Sequence, residues 1–331
     1  MMSSGEEIEY VNESTGARAT FVLDGMLGKG QFGEVYKAYC IESDPSLKFP
    51  YCVACKKQEF RDREELEEIK SREIMLNQSV TCKNIIYMYW AIRKESDIYF
   101  FFHYYNGGCL SDLIKMKKNI TQKLAAKIVK QLLDGLIVLH NNNFVHRDLK
   151  PDNILLHFDC MPHDANVSKE FIKLWDCEIN SWFTVVIADL GMGREIDELE
   201  MSKAVGTPLY RAPEVEGNKY DSRSDILSLG IIAFELLVGE PLFSSRQAKN
   251  LTGLHKLWKK TTTYDFKGKK LSWETMQFLQ YCLQKKPDDR LEADELYELD
   301  FIQKAYDDTA NFTKPKVNEQ MLDLTKHINI E

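Results

Sequence analysis

The feature of this sequence that most restricts its fold is a dense polar stretch, FVHRDLKPDN at residues 144–153, followed at once by an apolar run at residues 154–156. Within eight positions it holds five chargeable side chains and one carboxamide: His146, Arg147, Asp148, Lys150, Asp152 and Asn153. A polar loop that merely caps a helix is the alternative, but it does not require this crowding. We therefore interpret the stretch as a functional site.

Length and charge limit the kind of protein to which such a site belongs. A chain of 331 residues fits about two domains or one large two-lobed domain. Its net charge of −8 and pI near 5.5 argue against a general attraction to nucleic acid or to a membrane, so a bound polyanion needs a local cationic site. The acidic amino terminus has no secretory signal, and no apolar window reaches the ~18 residues of a membrane span.

The cysteines indicate a reducing environment. The eight cysteines are scattered singly, apart from Cys52 and Cys55, which form a CxxC in a strand-like segment. No second CxxC or matching histidine pair supports a zinc site. The sequence therefore predicts reduced, mostly buried thiols in a cytoplasmic protein, with a nuclear location as the alternative.

The residue pattern changes character along the chain, which predicts two lobes. Strand-like alternation dominates residues 18–102, interrupted by a charge-rich helix at 59–77. A connector at 103–108 precedes five predicted helices: 109–118, 121–142, 223–239, 272–284 and 292–305. We predict an α+β fold with a small β-rich lobe and a larger helical lobe. Residues 1–17 are an amino-terminal extension and residues 306–331 a loosely attached tail.

The glycines of GKGQFGEV predict a turn that can approach phosphate. Gly28, Gly30 and Gly33 lie between two predicted strands rather than between a strand and a helix, which argues against a dinucleotide-binding fold. Glycines let the backbone approach phosphate oxygens, to which their N–H groups donate. A purely structural turn is an equally good interpretation of the glycines alone.

Several lysine, carboxylate and amide side chains outside this turn suit the binding and transfer of a phosphoryl group. Lys56 ends the strand-like VACK and suits a cation that contacts phosphate, although a lysine extending to solvent at a strand edge is the alternative. Glu73, on the following helix, is the best candidate to hold it. Asp148 can accept a hydroxyl proton, Lys150 can neutralise a transferred phosphoryl group, and Asn153 can bind a metal ion. Asp189, at the end of VVIAD, suits Mg²⁺.

Taken in order, these motifs resemble the eukaryotic protein kinase family over residues 18–305. The resemblance rests on eight features in sequence order: GKGQFGEV, VACK, Glu73, HRDLKPDN, DLG, GTPLYRAPE, SDILSLG and KKPDDR. It implies a two-lobed kinase fold with residues 18–102 as the amino-terminal lobe, 103–108 as the hinge and 109–305 as the carboxy-terminal lobe. It also implies ATP and Mg²⁺ as cofactors.

The resemblance carries site roles onto matching positions. It implies that Glu214 pairs with Arg290 and that Asp225 anchors the central helix of the larger lobe. Lys150 and Thr207 match residues that are typical of the serine/threonine class. In that class, the resemblance implies that Thr207 lies near Asp148. The residues that it implies for ATP binding are Leu27, Gly28, Gly30, Gly33, Val35, Ala54, Lys56, Phe102 as gatekeeper, His103, Tyr105 and Leu155.

Several positions depart from the family pattern. Leu190 replaces the usual phenylalanine of DFG and is large enough to pack in its place. Asn153 and Asp189 are separated by thirty-six positions, so the chain carries an insertion at about 157–183. Its Trp175 and Trp182 suggest packing on the larger lobe, which we favour, or a partner surface.

The segment before GTPLYRAPE raises the question of what Arg147 binds. The resemblance implies that Arg147 receives an anion from this segment, yet the usual phosphorylated position is Lys203. Phosphorylated Ser202 is the favoured partner. The acidic residues at 195–200 and no anion at all stay open as alternatives.

We therefore predict an active serine/threonine protein kinase that acts on a protein substrate in intracellular signalling. In this prediction Lys56 orients the phosphates, Glu73 holds Lys56, Asp148 is the base, and Asn153 and Asp189 bind metal. A catalytically inactive scaffold and a small-molecule phosphotransferase are the alternatives. The motifs fit several branches of the family, including calcium/calmodulin-like and autophagy-initiating types.

Overall fold

The computed structural model describes the chain over eleven ranges: residues 5–30, 33–70, 80–117, 120–167, 171–172, 183–190, 194–195, 208–214, 221–244, 251–261 and 264–306. The strands in these ranges are β1 (Glu7–Val11), β2 (Arg18–Gly30), β3 (Gly33–Ser43), β4 (Cys52–Glu59), β5 (Met88–Lys94), β6 (Asp97–His103), β7 (Phe144–Val145), β8 (Ile154–Phe158), β9 (Phe183–Ile187) and β10 (Arg194–Glu195). The helices are α1 (Arg63–Lys70), α2 (Leu110–Met116), α3 (Gln122–Asn141), α4 (Ser222–Val238), α5 (Leu251–Lys260), α6 (Trp273–Cys282), α7 (Ala293–Tyr297) and α8 (Asp300–Gln303).

These elements form two compact units. The first comprises residues up to 81 together with 86–106 and 159–166, and the second comprises residues 82–85, 107–158 and those from 167 onward. The second segment of the first unit ends at Asn106, which lies within the predicted connector 103–108. Residues 159–166 belong to the first unit, whereas the sequence placed the whole insertion in the larger lobe, so that part of the prediction is wrong.

The first unit is built on an antiparallel sheet of six strands in the order β1-β2-β3-β4-β6-β5. Alternating residues turn apolar side chains to one face, where Phe21, Ala38, Val53, Cys55 and Phe101 are fully buried. The opposite face packs around Phe100 and Phe102 together with residues of α1. The β-rich lobe predicted from residues 18–102 is thus formed, with apolar packing on both faces of its central strands.

Strand β1 adds to this sheet from within the predicted extension at residues 1–17. Ile8 pairs with Phe21 of β2 and is fully buried. The carboxylate of Glu6 accepts a 2.6 Å hydrogen bond from the Tyr99 hydroxyl and lies 3.0 Å from Lys57 Nζ. The extension therefore contributes an edge strand to the lobe, which its polar sequence did not predict.

Helix α1 is shorter at its start than the sequence predicted. Residues up to Glu59 continue the alternation of β4, and Glu59 pairs with Asp97 of β6. The helix begins at Arg63, after Asp62 accepts a hydrogen bond from the Glu65 amide. Its Leu66 and Ile69 are buried against the sheet. The predicted start at residue 59 is wrong because the pairing to β6 continues through that residue.

The second unit is organised around α3 and α4. Helix α4 is almost wholly buried, and between Ile226 and Val238 its one charged residue is Glu235, as expected of a helix in the centre of a domain. It ends at Gly239, whose φ of 84° is the left-handed conformation that glycine adopts readily. The predicted helices of this unit need two corrections. The helix predicted at 292–305 is two short helices, α7 and α8, and helix α5 was not predicted from the sequence. Within the described ranges, every helix is too short or too polar to cross a membrane.

Candidate active site

The glycine-rich hairpin between β2 and β3 separates the predicted phosphate-binding glycines into two kinds. Gly30 pairs with Gly33 at the end of the hairpin. A Cβ at Gly28 or at Gly30 would meet no heavy atom within 4 Å. At Gly33, φ is 124° and a Cβ would lie 2.1 Å from the carbonyl oxygen of Lys57. Gly33 is thus required by the backbone itself, while Gly28 and Gly30 keep open space above the loop.

This difference predicts unequal effects of alanine on stability. We expect Gly33→Ala to destabilise the first unit by at least about 1 kcal/mol, because the new Cβ meets backbone in a conformation unfavourable to alanine. Gly30→Ala is the matched control, and its effect on stability should be smaller. Hydrogen exchange of the β2 and β3 amides in the absence of nucleotide measures both. Equal effects of the two substitutions would contradict the interpretation.

Lys56 lies in the centre of the sheet. It pairs with Val35 of β3 on one side and with Phe100 of β6 on the other, and it is only 8% exposed. Ala54, two positions earlier, pairs with Phe102. The predicted nucleotide-contacting residues of the first unit therefore lie on four adjacent strands, β2, β3, β4 and β6, with Tyr105 just after β6. Glu73, the predicted partner of Lys56, lies outside the described residues.

Backbone and side-chain contacts hold the connector at its start. The His103 N–H donates a 2.9 Å hydrogen bond to the Tyr87 carbonyl, and the Tyr89 hydroxyl lies 2.9 Å from His103 Nδ1. The Tyr105 hydroxyl accepts a 3.3 Å hydrogen bond from the Tyr87 N–H. These contacts fix His103 and Tyr105, for which the resemblance implies that the backbone contacts the adenine of ATP.

In the second unit, Asp225 of α4 organises the polar stretch at residues 144–153. Its carboxylate accepts hydrogen bonds from the backbone N–H groups of His146 at 2.9 Å and Arg147 at 3.0 Å, and lies 3.0 Å from His140 Nε2. Burial opposes ionisation of Asp225, but the hydrogen bond and charge of His140, with the His146 amide, bring its pKa below the ordinary value. An ionised Asp225 carboxylate in the first turn of α4 thus holds the loop against this helix, which the resemblance implied that Asp225 anchors.

The loop backbone is bent sharply at this anchor. Arg147 has φ of 70°, a conformation uncommon for residues other than glycine. His146 is fully buried, and its Nε2 lies 2.9 Å from the Ala188 carbonyl oxygen. After the bend, Asp148 and Lys150 are partly exposed, whereas Leu149 between them is buried at 1% exposure.

Two predicted catalytic side chains and one predicted metal ligand meet after the bend. The amide nitrogen of Asn153 donates to the Asp148 carbonyl oxygen at 2.9 Å and to Asp148 Oδ2 at 3.1 Å. Lys150 Nζ donates to the same Oδ2. The structure therefore fixes one carboxylate oxygen of Asp148 with two donors, which orients the group.

The hairpin of β8 and β9 brings in the second predicted metal ligand. Ile154 pairs with Ile187, and the Ala188 N–H donates a 2.9 Å hydrogen bond to the Asn153 carbonyl oxygen. Asp189 follows directly, with φ of 59°. Asn153 accepts this hydrogen bond and Asp189 follows its donor. The bond therefore brings the two residues close together, although they are thirty-six positions apart in the sequence. Leu190 is 1% exposed, as expected for an apolar replacement that packs.

A buried ion pair supports the same unit below the loop. Arg290 Nη2 donates to Glu214 Oε2 at 3.1 Å and Nη1 donates to Oε1, a bidentate arrangement. Arg290 also donates to the carbonyl oxygens of Gln284 at 2.8 Å and Arg223 at 3.0 Å. The pairing implied by the resemblance is present in the structure.

Not every predicted residue can be placed. Thr207, Ser202, Trp175 and Trp182 lie outside the described residues, as does Lys203. Sequence reasoning also missed one contact of the loop: the Ser111 hydroxyl donates a 2.9 Å hydrogen bond to Asp152 Oδ1. A serine at the start of a predicted helix gave no signal that it would contact a residue forty-one positions later.

Comparisons with known proteins agree with this geometry. A family model described as Protein kinase domain matches residues 21–302. The chain is 31% identical to Serine/threonine-protein kinase atg1 of Dictyostelium discoideum over 70% of this chain and 32% of that protein. It is 31% identical to Serine/threonine-protein kinase hippo of Drosophila melanogaster over 84% and 37% of the two chains. It is 28% identical to Serine/threonine-protein kinase ppk11 of Schizosaccharomyces pombe over 91% and 89%.

These relatives differ in length and name but are similar to the chain to nearly the same degree. The chain spans about a third of the length of the atg1 and hippo kinases. The family model covers most of the chain and most of both described units. The chain belongs to the protein kinase family, among its eukaryotic serine/threonine members.

Proposed function

We propose that this protein is a serine/threonine protein kinase that transfers the γ-phosphoryl group of Mg-ATP to hydroxyl groups of protein substrates. The observation that carries the proposal is the arrangement of Asp148, Lys150 and Asn153, in which one oxygen of the Asp148 carboxylate is held by two donors. The other oxygen can then accept the proton of an incoming hydroxyl. Such positioning is most of what phosphoryl transfer requires from a protein.

Lys150 has a second role in this proposal. Its ammonium lies at the Asp148 carboxylate, from where it would also neutralise negative charge that develops on the transferred group. Arginine would not supply this compact positive charge in the same space, because its guanidinium is larger and planar. We therefore assign Asp148 the acceptance of the proton and Lys150 the stabilisation of the phosphoryl oxygens.

The donor set beside Asp148 fits magnesium. Asn153 uses its amide nitrogen as a donor to Asp148, so its side-chain oxygen is the atom left for a cation. Asp189 supplies a carboxylate from the adjacent hairpin. Mg²⁺ prefers oxygen ligands, commonly one or two from protein side chains together with phosphate oxygens. When bound, the ion would neutralise the phosphates and align them.

We propose that ATP is contacted in the first unit by the residues named from the sequence. Lys56 would bind the phosphates from its buried strand position, and Gly28 and Gly30 would leave room for the backbone to approach them. Phe102 is buried at the end of β6, so it would limit the depth available to a nucleotide base.

Two further expectations from the sequence are kept as proposals. We propose that Arg147 receives an anion and that phosphorylated Ser202 supplies it.

We also propose a cytoplasmic location, with a nuclear one as the alternative. Burial raises the pKa of Cys52 to about 12 and also raises the pKa of Cys55 and Cys282, so these thiols stay protonated and unreactive.

The test of the activity is a transfer assay with the purified full chain, Mg-ATP labelled on the γ-phosphate and a mixed peptide array. We expect label on serine and threonine peptides, and loss of transfer when EDTA removes the metal ion. Label on tyrosine alone would contradict the class assignment. ATP hydrolysis without peptide labelling would contradict protein phosphorylation as the activity.

A further inference from the structure

The first residues of the insertion fold onto the connector within the first unit. This segment, residues 162–166, is here called the clasp. The Ala165 N–H donates a 3.0 Å hydrogen bond to the Pro162 carbonyl oxygen, which closes a turn, and Ala165 is 4% exposed. The clasp follows β8 in sequence, yet it belongs to the first unit, which contains connector residues 103–106.

Three connector side chains contact the clasp. The Tyr104 hydroxyl donates to Asn166 Oδ1, and Asn106 Nδ2 donates to the Pro162 carbonyl oxygen at 3.3 Å. The His103 and His163 rings meet edge to face at 6.2 Å between centroids. Tyr104 and Asn106 are buried, and burial raises the pKa of Tyr104, so its hydroxyl stays protonated as a donor.

A buried lysine joins the clasp to the sheet. Lys37 of β3 is 6% exposed, and its ammonium donates to the Asp164 carbonyl oxygen. The same ammonium lies 4.7 Å from the ring centroid of Tyr104 and 5.3 Å from that of Tyr39. A buried cation is costly without such partners, and aromatic faces stabilise it. Lys37 therefore contacts both the clasp and the connector residue that the clasp holds.

We propose that the clasp fixes the connector for nucleotide binding, and that Lys37, Tyr104 and Asn166 are positioning residues for ATP. The proposal rests on the proposed function, in which the backbone of His103 and Tyr105 contacts the adenine. The side chains flanking those backbone groups are the ones tied to the clasp. A connector already fixed in one conformation loses less entropy when nucleotide binds.

Tyr104→Phe and Lys37→Met test the proposal with the full chain. Tyr104→Phe removes the donor to Asn166 while keeping the ring, and Lys37→Met removes the ammonium while keeping the apolar stem. Their matched controls are Tyr51→Phe and Lys48→Met, which change exposed residues of the same unit. Hydrogen exchange of a peptide spanning residues 99–108, measured without nucleotide, reports the connector directly.

We expect faster exchange in the two clasp variants and a roughly three- to tenfold increase in the dissociation constant for ATP, as loss of a buried hydrogen bond produces. KM for ATP should rise while kcat at saturating ATP changes by less than about twofold. Unchanged exchange, or faster exchange with unchanged ATP affinity, would overturn the proposal. Failure of the unsubstituted protein to bind ATP would instead count against the proposed function, while exchange would still decide whether the clasp holds the connector.

Discussion

Replacing Asp148 by asparagine is expected to lower phosphoryl transfer by roughly 10²- to 10⁴-fold, the range in which a positioned general base acts. Asparagine has nearly the same shape, and its amide can remain beside Asn153 and Lys150, so the loop should keep its conformation. What is lost is the carboxylate that accepts the hydroxyl proton. Steady-state transfer to a peptide found in the array measures the loss, and binding of a fluorescent ATP analogue should change little.

The matched control is Asp288→Asn, which makes the same chemical change at an exposed position of the second unit. Its transfer rate should equal that of the unsubstituted protein. If Asp148→Asn kept most of the activity with the fold intact, Asp148 would not be the base and the mechanism proposed from its two donors would be wrong.

The second large effect is expected at the Glu214–Arg290 ion pair. The Arg290 side chain is fully buried and that of Glu214 is 11% exposed. Glu214→Ala leaves the buried guanidinium without its carboxylate, which should cost about 3–5 kcal/mol of stability. Hydrogen exchange of the α4 amides under increasing urea measures this in the second unit alone.

Two variants separate the pair from a general loss of charge. Lys304→Met removes an exposed lysine that bridges Glu274 and Asp300, and it should cost less than about 1 kcal/mol. The double variant Glu214→Leu with Arg290→Met should lose less than the sum of its two single variants, because no unpaired charge remains. Additive losses would show that the two residues act independently.

The proximity of the loop side chains was predictable because it is local in sequence. Asp148, Lys150 and Asn153 lie within six positions, so any fold of that loop keeps them near one another. Asp189 was predictable for a different reason: a carboxylate that ends a β-branched strand lies at a sheet edge. The lobes followed from the change between alternating and helical periods near residue 109.

Contacts between distant segments were not predictable in this way. The start of α1 was wrong because pairing of Glu59 with Asp97 depends on another strand. The clasp accepts hydrogen bonds through the backbone carbonyl oxygens of Pro162 and Asp164. Every residue has such an oxygen, so the residue types of the clasp do not indicate the contact. Helix α5 carried a usable signal in the spacing of Leu254 and Trp258, both buried. Glu73, Thr207 and Ser202 stay predictions.

Strand β1 has a practical consequence for anyone who cuts this chain into a smaller fragment. The family match begins at residue 21, inside β2 (Arg18–Gly30), so a fragment started there would lose β1 and part of its neighbour. It would leave an empty position where Ile8 packs and an unpaired strand edge along the remaining sheet. Unpaired edges recruit strands from other molecules, which leads to aggregation. A fragment that keeps this edge covered therefore needs a boundary before Glu6, whose carbonyl oxygen accepts a 3.0 Å hydrogen bond from the Leu23 N–H.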